Sequence, residues 1–476
     1  MNLDLPQELR KILCSGPGLG RSYLVGGCVR DALLGESALS DFDIEVFGMG
    51  YETLASVLGR FGRVDVVGRS FGVVKLTVGG AVHDFSIPRR DSKTAAGHRG
   101  FEVELDPDIQ PRDAAARRDF TINALMLDPR SGELLDFFGG AQDLSRRVLR
   151  HTSDAFAEDP LRVLRGMQFA GRFDLEAAPE TLKLCRGIAH SCRELPGDRI
   201  REEWFKWASK SRKPSAGLRF LEASGWIGNF PEIAAMRGTP QDPEWHPEGD
   251  VLAHTGHVLD AMVDLPDWRS ADAETRIVLS LAGLAHDIGK ATCTCPAEQD
   301  GRTRIVSPGH EAESARLAEV LFARMDVPKA IVARILPLVG NHMAHFNEVS
   351  DRALRRLARR LHPETVARLC VLMTADASGR PPLPRRVPDS VRQVRETAER
   401  LALHDAAPRP VLMGRHLLTL GFEPGPEIGR WISAAFEAQL DGAFTDVLQA
   451  HAWLAAQVDL PEPIRARASE VAATVR

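Results

Sequence analysis

Short apolar runs recur through the first 150 residues at the two-residue alternation of half-buried strands: Tyr23–Val25, Ile44–Val46, Val64–Val67, Val73–Leu76 and Val82–Ile87. One or two helical stretches separate them. Between Pro88 and Ala116 the chain is rich in Gly, Asp, Pro and Arg, which predicts a mobile loop. From Asp154 the spacing turns helical and stays so to the end. Asn229–Asp250, with Pro231, Pro240, Pro243 and Pro247, reads as a linker, and a second proline-rich break at Ala406–Pro410 sets off a last helical piece. The expected class is α+β: a small mixed β-sheet head over residues 1–150, an all-α neck and body over 151–240, a helical domain over 245–402 and a helical C-terminal tail over 408–476. No internal repeat or low-complexity tract interrupts it.

At 476 residues the chain exceeds what one core organises, consistent with several domains. With 44% hydrophobic and 26% charged residues it is an ordinary globular composition, which excludes disordered, collagen-like and disulfide-scaffold classes. The longest apolar run, Ile277–Ala285 broken by Ser280, is too short to span a bilayer, so no membrane partner is expected. The N-terminus shows no basic stretch followed by an apolar core, so no secretory signal is expected. Seven scattered cysteines, an odd number, point to reduced thiols and a cytoplasmic location.

Net charge is −5, which argues against a bulk nucleic-acid binder but leaves room for a local basic face. Arg352, Arg355, Arg356, Arg359 and Arg360 follow helical spacing and read as a solvated helix face or such a local patch. Seven of the fifteen histidines fall between His246 and His345, a first hint of metal chemistry.

Gly26-Gly27 closes an expected strand and opens a helical stretch that carries Arg30. Two glycines there let backbone N–H groups approach a phosphate, helped by the arginine. Asp41 and Asp43 sit two apart in the next strand and therefore share a face. Like charges so placed repel unless a cation lies between them, and oxygen-only ligation suits Mg²⁺. Asp84 is a candidate third carboxylate from a neighbouring strand. Arg117-Arg118-Asp119-Phe120-Thr121-Ile122-Asn123 adds cations beside polar side chains, as triphosphate binding requires. Together these features fit two-metal nucleotidyl transfer.

Glu158-Asp159-Pro160-Leu161-Arg162 reads first as a helix start. Asp159 and Arg162 are also three apart and share a helix face. A carboxylate accepts from an exocyclic amine, and a guanidinium donates to ring nitrogens or carbonyls. Such a pair admits cytosine and adenine and rejects uracil and guanine without a nucleic-acid template.

The stretches Gly26–Asp31, Asp41-Phe-Asp43, Arg117–Leu125, Glu158–Arg165 and His286-Asp287, in this order and spacing, resemble the bacterial CCA-adding enzymes: class II tRNA nucleotidyltransferases of the polymerase-beta-like superfamily that bear a C-terminal HD domain. The resemblance runs along nearly the whole chain. It implies CTP, ATP and tRNA as partners and Mg²⁺ at Asp41 and Asp43. It also implies base reading by Asp159 with Arg162, and a nucleotide pocket shaped by Arg117, Asp119 and Asn123, with Arg165 in the same motif. An enzyme adding only A or only CC, a poly(A) polymerase, or an RNA-binding phosphohydrolase with a vestigial head remain the alternatives. The family usually carries an acid five residues before the Asp of its Arg-Arg-Asp; here that position is Ala114, with Asp113 one step earlier.

His254, His286-Asp287, His310, His342 and Asp376 follow the order of HD-type phosphohydrolases in their two-metal form. Mixed imidazole and carboxylate ligands suit a divalent transition metal such as Ni, Co or Mn, with Mg as a further possibility. That resemblance implies His254, His286, Asp287 and Asp376 at a first metal and His310 and His342 completing a second. His246, His257 and His345 do not match the pattern and read as structural or supporting residues. Lys290 reads as a counter-charge for a phosphate or as a solvated helix-end lysine.

Overall fold

The computed structural model describes residues 3–35, 42–65, 72–93, 101–299, 301–344 and 349–473, the backbone alone at 90–93 and 101–103. Asp41 and His345 therefore lie outside the described residues. The chain divides into two compact units, Met1–Ala234 with Arg324–Asp326, and Ala235–Ala323 with Val327–Arg476. The division at Ala234/Ala235 falls inside the proline-rich stretch Asn229–Asp250.

In the first unit, strands β1 (Ser22–Val25), β2 (Asp43–Val46), β3 (Arg63–Asp65), β4 (Val73–Val78) and β5 (Ala81–Ser86) follow the alternating runs. β6 (Arg89–Lys93) and β7 (Phe101–Leu105) form a separate antiparallel pair. β8 (Met126–Leu127) and β9 (Leu134–Leu135) complete a mixed sheet in the order β3-β4-β5-β2-β1-β8-β9. One sheet face buries Leu24, Ile44, Val46, Leu76 and Phe85 with Leu9 and Ile12 of the helix Gln7–Ser15. The other carries Val25, Phe47 and Met126 with Ala114 and Ala115. The expectation of a loop over Pro88–Ala116 is corrected: the described part holds the β6–β7 pair and the helix Pro111–Ala116. Turn-rich composition masked a hairpin whose pairing is made across the chain rather than along it.

Helices Leu161–Phe173, Gly197–Lys210 and Pro214–Ala223 follow, packed around Trp204, Trp207 and Phe230. Trp207 Nε1 donates to the Pro214 carbonyl at 3.2 Å. Gly217 is needed where two helices touch, since a Cβ there would lie 2.7 Å from the Met167 carbonyl oxygen and 2.5 Å from Trp207 Nε1.

Among its described residues the second unit is helical apart from one antiparallel pair that the helical periodicity did not anticipate, Cys295–Gln299 with Arg302–Val306. Several of its helices begin at polar side-chain caps. Asp250 accepts from the Ala253 N–H at 2.8 Å and Asp272 from the Thr275 N–H at 2.7 Å, opening Val251–Asp264 and Ala273–Ala285. The arginine row on Asp351–Leu361 is largely exposed, as a solvated face is, and three of its members are also paired with acids. Arg352 and Arg356 each reach Asp441 at 2.8 Å, and Arg359 pairs with Glu437, both acids at the end of the helix Pro426–Leu440.

Candidate functional site

β2 presents Ile44 and Val46 to the apolar core and Asp43 and Glu45 to the opposite face, as a two-residue period requires. β5 runs parallel beside it with Asp43 opposite Asp84, so the two acids are in register on adjacent strands. Asp84 is engaged by Lys75, whose Nζ lies 2.9 and 3.0 Å from its two oxygens. Gly26 ends β1 at φ 71°, a conformation open to glycine, and a Cβ there would meet Arg118 Nη1 at 2.9 Å.

The Gly26-Gly27 turn and Asp43 border a cavity of about 500 Å³, and Asp84 is not among its lining residues. Gly26, Gly27, Arg30, Asp43, Arg117, Asp119, Asn123, Asp159, Arg162 and Arg165, drawn from four separate motifs, all line it. Among the described lining residues nine lysines and arginines face three aspartates. That excess suits a ligand of several negative charges. Arg172, Arg199, Lys206 and Lys210 were not anticipated. The last three share one face of Gly197–Lys210, a helical spacing that a periodicity reading could have caught.

A polar chain organises the cavity floor. Arg30 donates to Asn123 Oδ1, Asn123 Nδ2 donates to Asp119 Oδ1 at 2.9 Å, and Arg165 Nε donates to Asp119 Oδ2 at 2.7 Å. Burial works to raise the Asp119 pKa, but Arg165 and these hydrogen bonds outweigh it and hold the group below the usual range. Arg30 is only 4% exposed, pairs with Asp31 at 2.7 Å, and rests 4.5 Å from the Phe173 ring centroid. It thus lines the cavity and also organises its floor.

Asp159 stands just before the helix Leu161–Phe173, its Oδ1 accepting from the Leu161 N–H at 3.1 Å, so the helix-start role and the cavity placement coexist. Arg162 donates to the carbonyls of Ala155 at 2.9 Å and Arg117 at 2.8 Å, which fixes the plane of its guanidinium. Ala114 is buried against the apolar cluster, and Asp113, one step earlier, is exposed.

The second unit gathers His254, His286, Asp287, His310, His342 and Asp376, all buried. Asp287 is central. Its Oδ2 lies 3.3 Å from His286 Nε2 and 3.7 Å from His254 Nε2, and its Oδ1 lies 3.3 and 3.5 Å from Nε2 of His310 and His342. Asp376 Oδ1 is 3.2 Å from His254 Nε2.

Three of the four histidines have their other nitrogen hydrogen-bonded, and that of His254 lies against a carboxylate without a well-aligned hydrogen bond. Nδ1 of His286, His310 and His342 faces the carbonyls of Gly283, Ser307 and Val339 at 2.8, 2.8 and 2.7 Å, and Nδ1 of His254 faces Glu248 Oε1 at 2.7 Å. A proton on every Nδ1 turns the Nε2 lone pairs inward, where His310 and His342 bring theirs within 3.2 Å of each other. Lone pairs so close need a positive charge, either a shared proton or a metal ion. Nε2 of His254 and His286 and Oδ1 of Asp287 are buried without a well-aligned hydrogen-bond partner. The donor set therefore fits divalent metal, with Asp287 shared between two groups of ligands.

Glu248 was missed by the sequence reading. Its buried carboxylate joins His254 to His246, the latter at 2.9 Å. Burial would raise its pKa, yet the two histidine contacts bring it down to about 2. Lys290 is not solvated: its Nζ reaches Asp287 at 2.7 Å and Gln241 at 2.9 Å. Arg380 pairs with Asp376 at 2.9 Å.

Residues 22–150 match the family described as the poly A polymerase head domain. A multifunctional CCA protein of Xanthomonas campestris pv. campestris is 35% identical over 370 residues, covering 75% of this chain and 85% of that protein. One from Nitrosococcus oceani is 35% identical over 382 residues, covering 78% and 88%. Among solved structures, the Bacillus stearothermophilus CCA-adding enzyme in complex with CTP aligns with a TM-score of 0.63 at 18% identity, over 94% of this chain and 97% of that one. The Thermotoga maritima CCA-adding enzyme complexed with tRNA aligns with a TM-score of 0.57 at 20% identity, over 94% and 95%. Among the described residues no helix is long and apolar enough to cross a membrane.

Proposed function

The chain belongs to the multifunctional CCA proteins, a family of CCA-adding nucleotidyltransferases, and on that premise we propose that it builds or repairs the 3′-terminal CCA of tRNA from CTP and ATP without a template. The cavity carries this reading: its nine cations suit a triphosphate, Asp43 stands at its edge, and Asp159 and Arg162 lie on its wall. Asp41 and Asp43 would hold Mg²⁺. When bound, Mg²⁺ acidifies the primer 3′-hydroxyl and neutralises charge on the triphosphate and the departing pyrophosphate. Asp159 accepts from the exocyclic amine of cytosine or adenine, and Arg162, its plane oriented by two carbonyls, donates to the ring. Asp84 is the third carboxylate or general base, available once Lys75 swings away. The helical stretch from about 154 to 245 holds the tRNA acceptor end by shape and backbone. Residues 1–150 serve as head, 151–240 as neck and body, and 408–476 as tail, in a cytoplasmic enzyme.

The test is incubation of tRNA lacking its last three nucleotides with labelled CTP, ATP and UTP. CTP and ATP are incorporated; UTP incorporated at a similar rate would overturn the base-reading role of Asp159 and Arg162. Primers ending before the first C, after it and after the second C separate full CCA addition from CC-only, A-only or poly(A) synthesis.

Residues 245–402 form an HD domain with a second activity, metal-dependent hydrolysis of phosphate at RNA ends: 2′,3′-cyclic phosphates, 2′-nucleotides and terminal phosphates. His254, His286, Asp287 and Asp376 would hold one divalent ion such as Ni²⁺, Co²⁺, Mn²⁺ or Mg²⁺, and His310 and His342 a second. Such ions would supply activation of water near neutral pH and charge neutralisation on the phosphoester. Hydrolysis adds the water oxygen to phosphorus, breaks one ribose P–O bond and leaves the proton on the freed hydroxyl. Breaking the P–O3′ bond of a cyclic phosphate, or removing a 3′-phosphate, frees the 3′-hydroxyl that the head extends, and removing a 2′-phosphate clears the group beside it.

A further inference from the structure

Six of the seven tryptophans are buried or partly buried. Trp245 is 58% exposed, the only tryptophan classed as exposed among the described residues. It lines a cavity of about 670 Å³ that also reaches Asp287, His310 and Asp376, with Met343, 39% exposed, on the same lining. That volume is within the range of about 300–1,000 Å³ typical of small-ligand pockets.

The segment carrying Trp245 is tied to the acid–histidine cluster at both ends. At one end Gln241 Oε1 accepts from Lys290 Nζ at 2.9 Å, and the same Nζ lies 2.7 Å from Asp287. At the other, Glu248 holds both His246, adjacent to Trp245, and His254. Between them Asp242 closes the turn, accepting the Trp245 and His246 N–H groups on its carbonyl at 3.1 and 2.8 Å while its carboxylate pairs with Arg304 at 3.2 Å. An exposed indole on a turn anchored this way is a preorganised flat face, positioned by the residues that build the metal-ligand set.

We propose that Gln241–Glu248 is a nucleobase platform, that Trp245 is its stacking face, and that this pocket binds the terminal nucleoside of its substrate as well as the phosphate. The proposal rests on the phosphohydrolase reading above and deepens it. The substrates are unpaired nucleotides at RNA ends, with little preference among bases because every base offers a π-face. A paired terminal nucleotide keeps its base in the helical stack and is excluded until it frays.

The full-length chain is compared as wild type, Trp245→Ala and Trp245→Phe on 2′,3′-cyclic AMP and on methyl β-ribofuranoside 2,3-cyclic phosphate, which lacks a base. Trp245→Ala lowers kcat/KM for the nucleotide by roughly 5- to 100-fold, chiefly through KM, and leaves the base-free ester within about twofold. Trp245→Phe restores most of the loss. Equal losses on both esters, or no loss on either, overturn the platform.

A second readout needs no turnover. In metal-stripped protein labelled with 5-fluorotryptophan, the ¹⁹F resonance that disappears in Trp245→Phe shifts on titration with 2′-AMP and stays fixed with ribose 2-phosphate. A resonance indifferent to 2′-AMP overturns the proposal. If neither ester is hydrolysed with Ni²⁺, Co²⁺, Mn²⁺ or Mg²⁺, the phosphohydrolase reading fails by itself, and the ¹⁹F shift still decides the platform.

Discussion

Arg165 brings two donors, Nε and Nη2, each to 2.7 Å from one oxygen of Asp119, Oδ2, while Oδ1 accepts from Asn123 and from the Phe120 backbone. The contact joins the end of the head to the helix Leu161–Phe173, and through Asn123 it reaches Arg30 beside the Gly26-Gly27 turn. The geometry of the cavity floor thus hangs on one carboxylate.

Replacing Asp119 with Asn keeps the shape and removes the charge. Charge-assisted hydrogen bonds of this kind contribute about 1.5–3 kcal/mol. CTP incorporation by Asp119→Asn should therefore fall roughly 10- to 150-fold in kcat/KM. Steady-state kinetics on tRNA lacking CCA check this, with circular dichroism establishing that the fold is retained.

Base selectivity should respond to Arg162 and Asp159. A single hydrogen-bonded base contact discriminates by about 1–3 kcal/mol. The UTP-to-CTP incorporation ratio should rise about 5- to 150-fold in Arg162→Lys and in Asp159→Ala. An unchanged ratio in both variants, measured by competition in one reaction, places base reading elsewhere in the cavity.

The two activities should separate. Asp287→Ala should abolish 2′,3′-cyclic AMP hydrolysis and leave CTP incorporation nearly intact. Glu248→Gln removes the charge that orients His254, so Ni²⁺ affinity measured by chelator competition should drop about 10- to 100-fold.

Thiol chemistry tests burial across both units. Cys14, Cys293 and Cys295 are accessible, whereas burial pushes the thiols of Cys28, Cys192 and Cys370 up to about 11 and that of Cys185 to about 12. Three thiols should react quickly with a disulfide reagent at pH 8 and four only on unfolding. A raised folded-state pKa favours the protonated thiol. The contribution of these groups is intact below about pH 9 and is lost as pH rises through about 11–12. Cys370→Ala should therefore reduce the alkaline loss of stability by up to about 1.4 kcal/mol per pH unit, read from denaturant melts between pH 8 and 11.

Gly217→Ala drives a methyl against the Met167 carbonyl oxygen and the Trp207 indole. Overpacking of this kind costs about 1–3 kcal/mol. The urea midpoint should fall with an unchanged slope.

The strands of the head and the ten cavity residues were legible because each signal is local: alternation at Ile44–Val46, a glycine pair at Gly26, a cap at Asp159. What stayed hidden depends on partners far away in the chain. The β6–β7 pairing is a cross-chain register inside a turn-rich composition. The arginines of Asp351–Leu361 find Glu437 and Asp441 some eighty residues on. The engagement of Asp84 by Lys75 is a cross-strand pair. The histidines show in the sequence, but the main-chain carbonyls that orient three of them do not, because a carbonyl has no residue letter. Glu248 was passed over for lying in a proline-rich stretch that resembled a linker.

Strand β2 is read on both sides at once. Ile44 and Val46 are packing residues, Asp43 and Glu45 face the other way, and the interval between the two sets is a single residue. Inserting or deleting one amino acid within it would send carboxylates into the apolar layer and isoleucine or valine to the cavity edge. For this segment, length is therefore as constrained as side-chain identity, and a lesion in folding and a lesion in catalysis would be the same event.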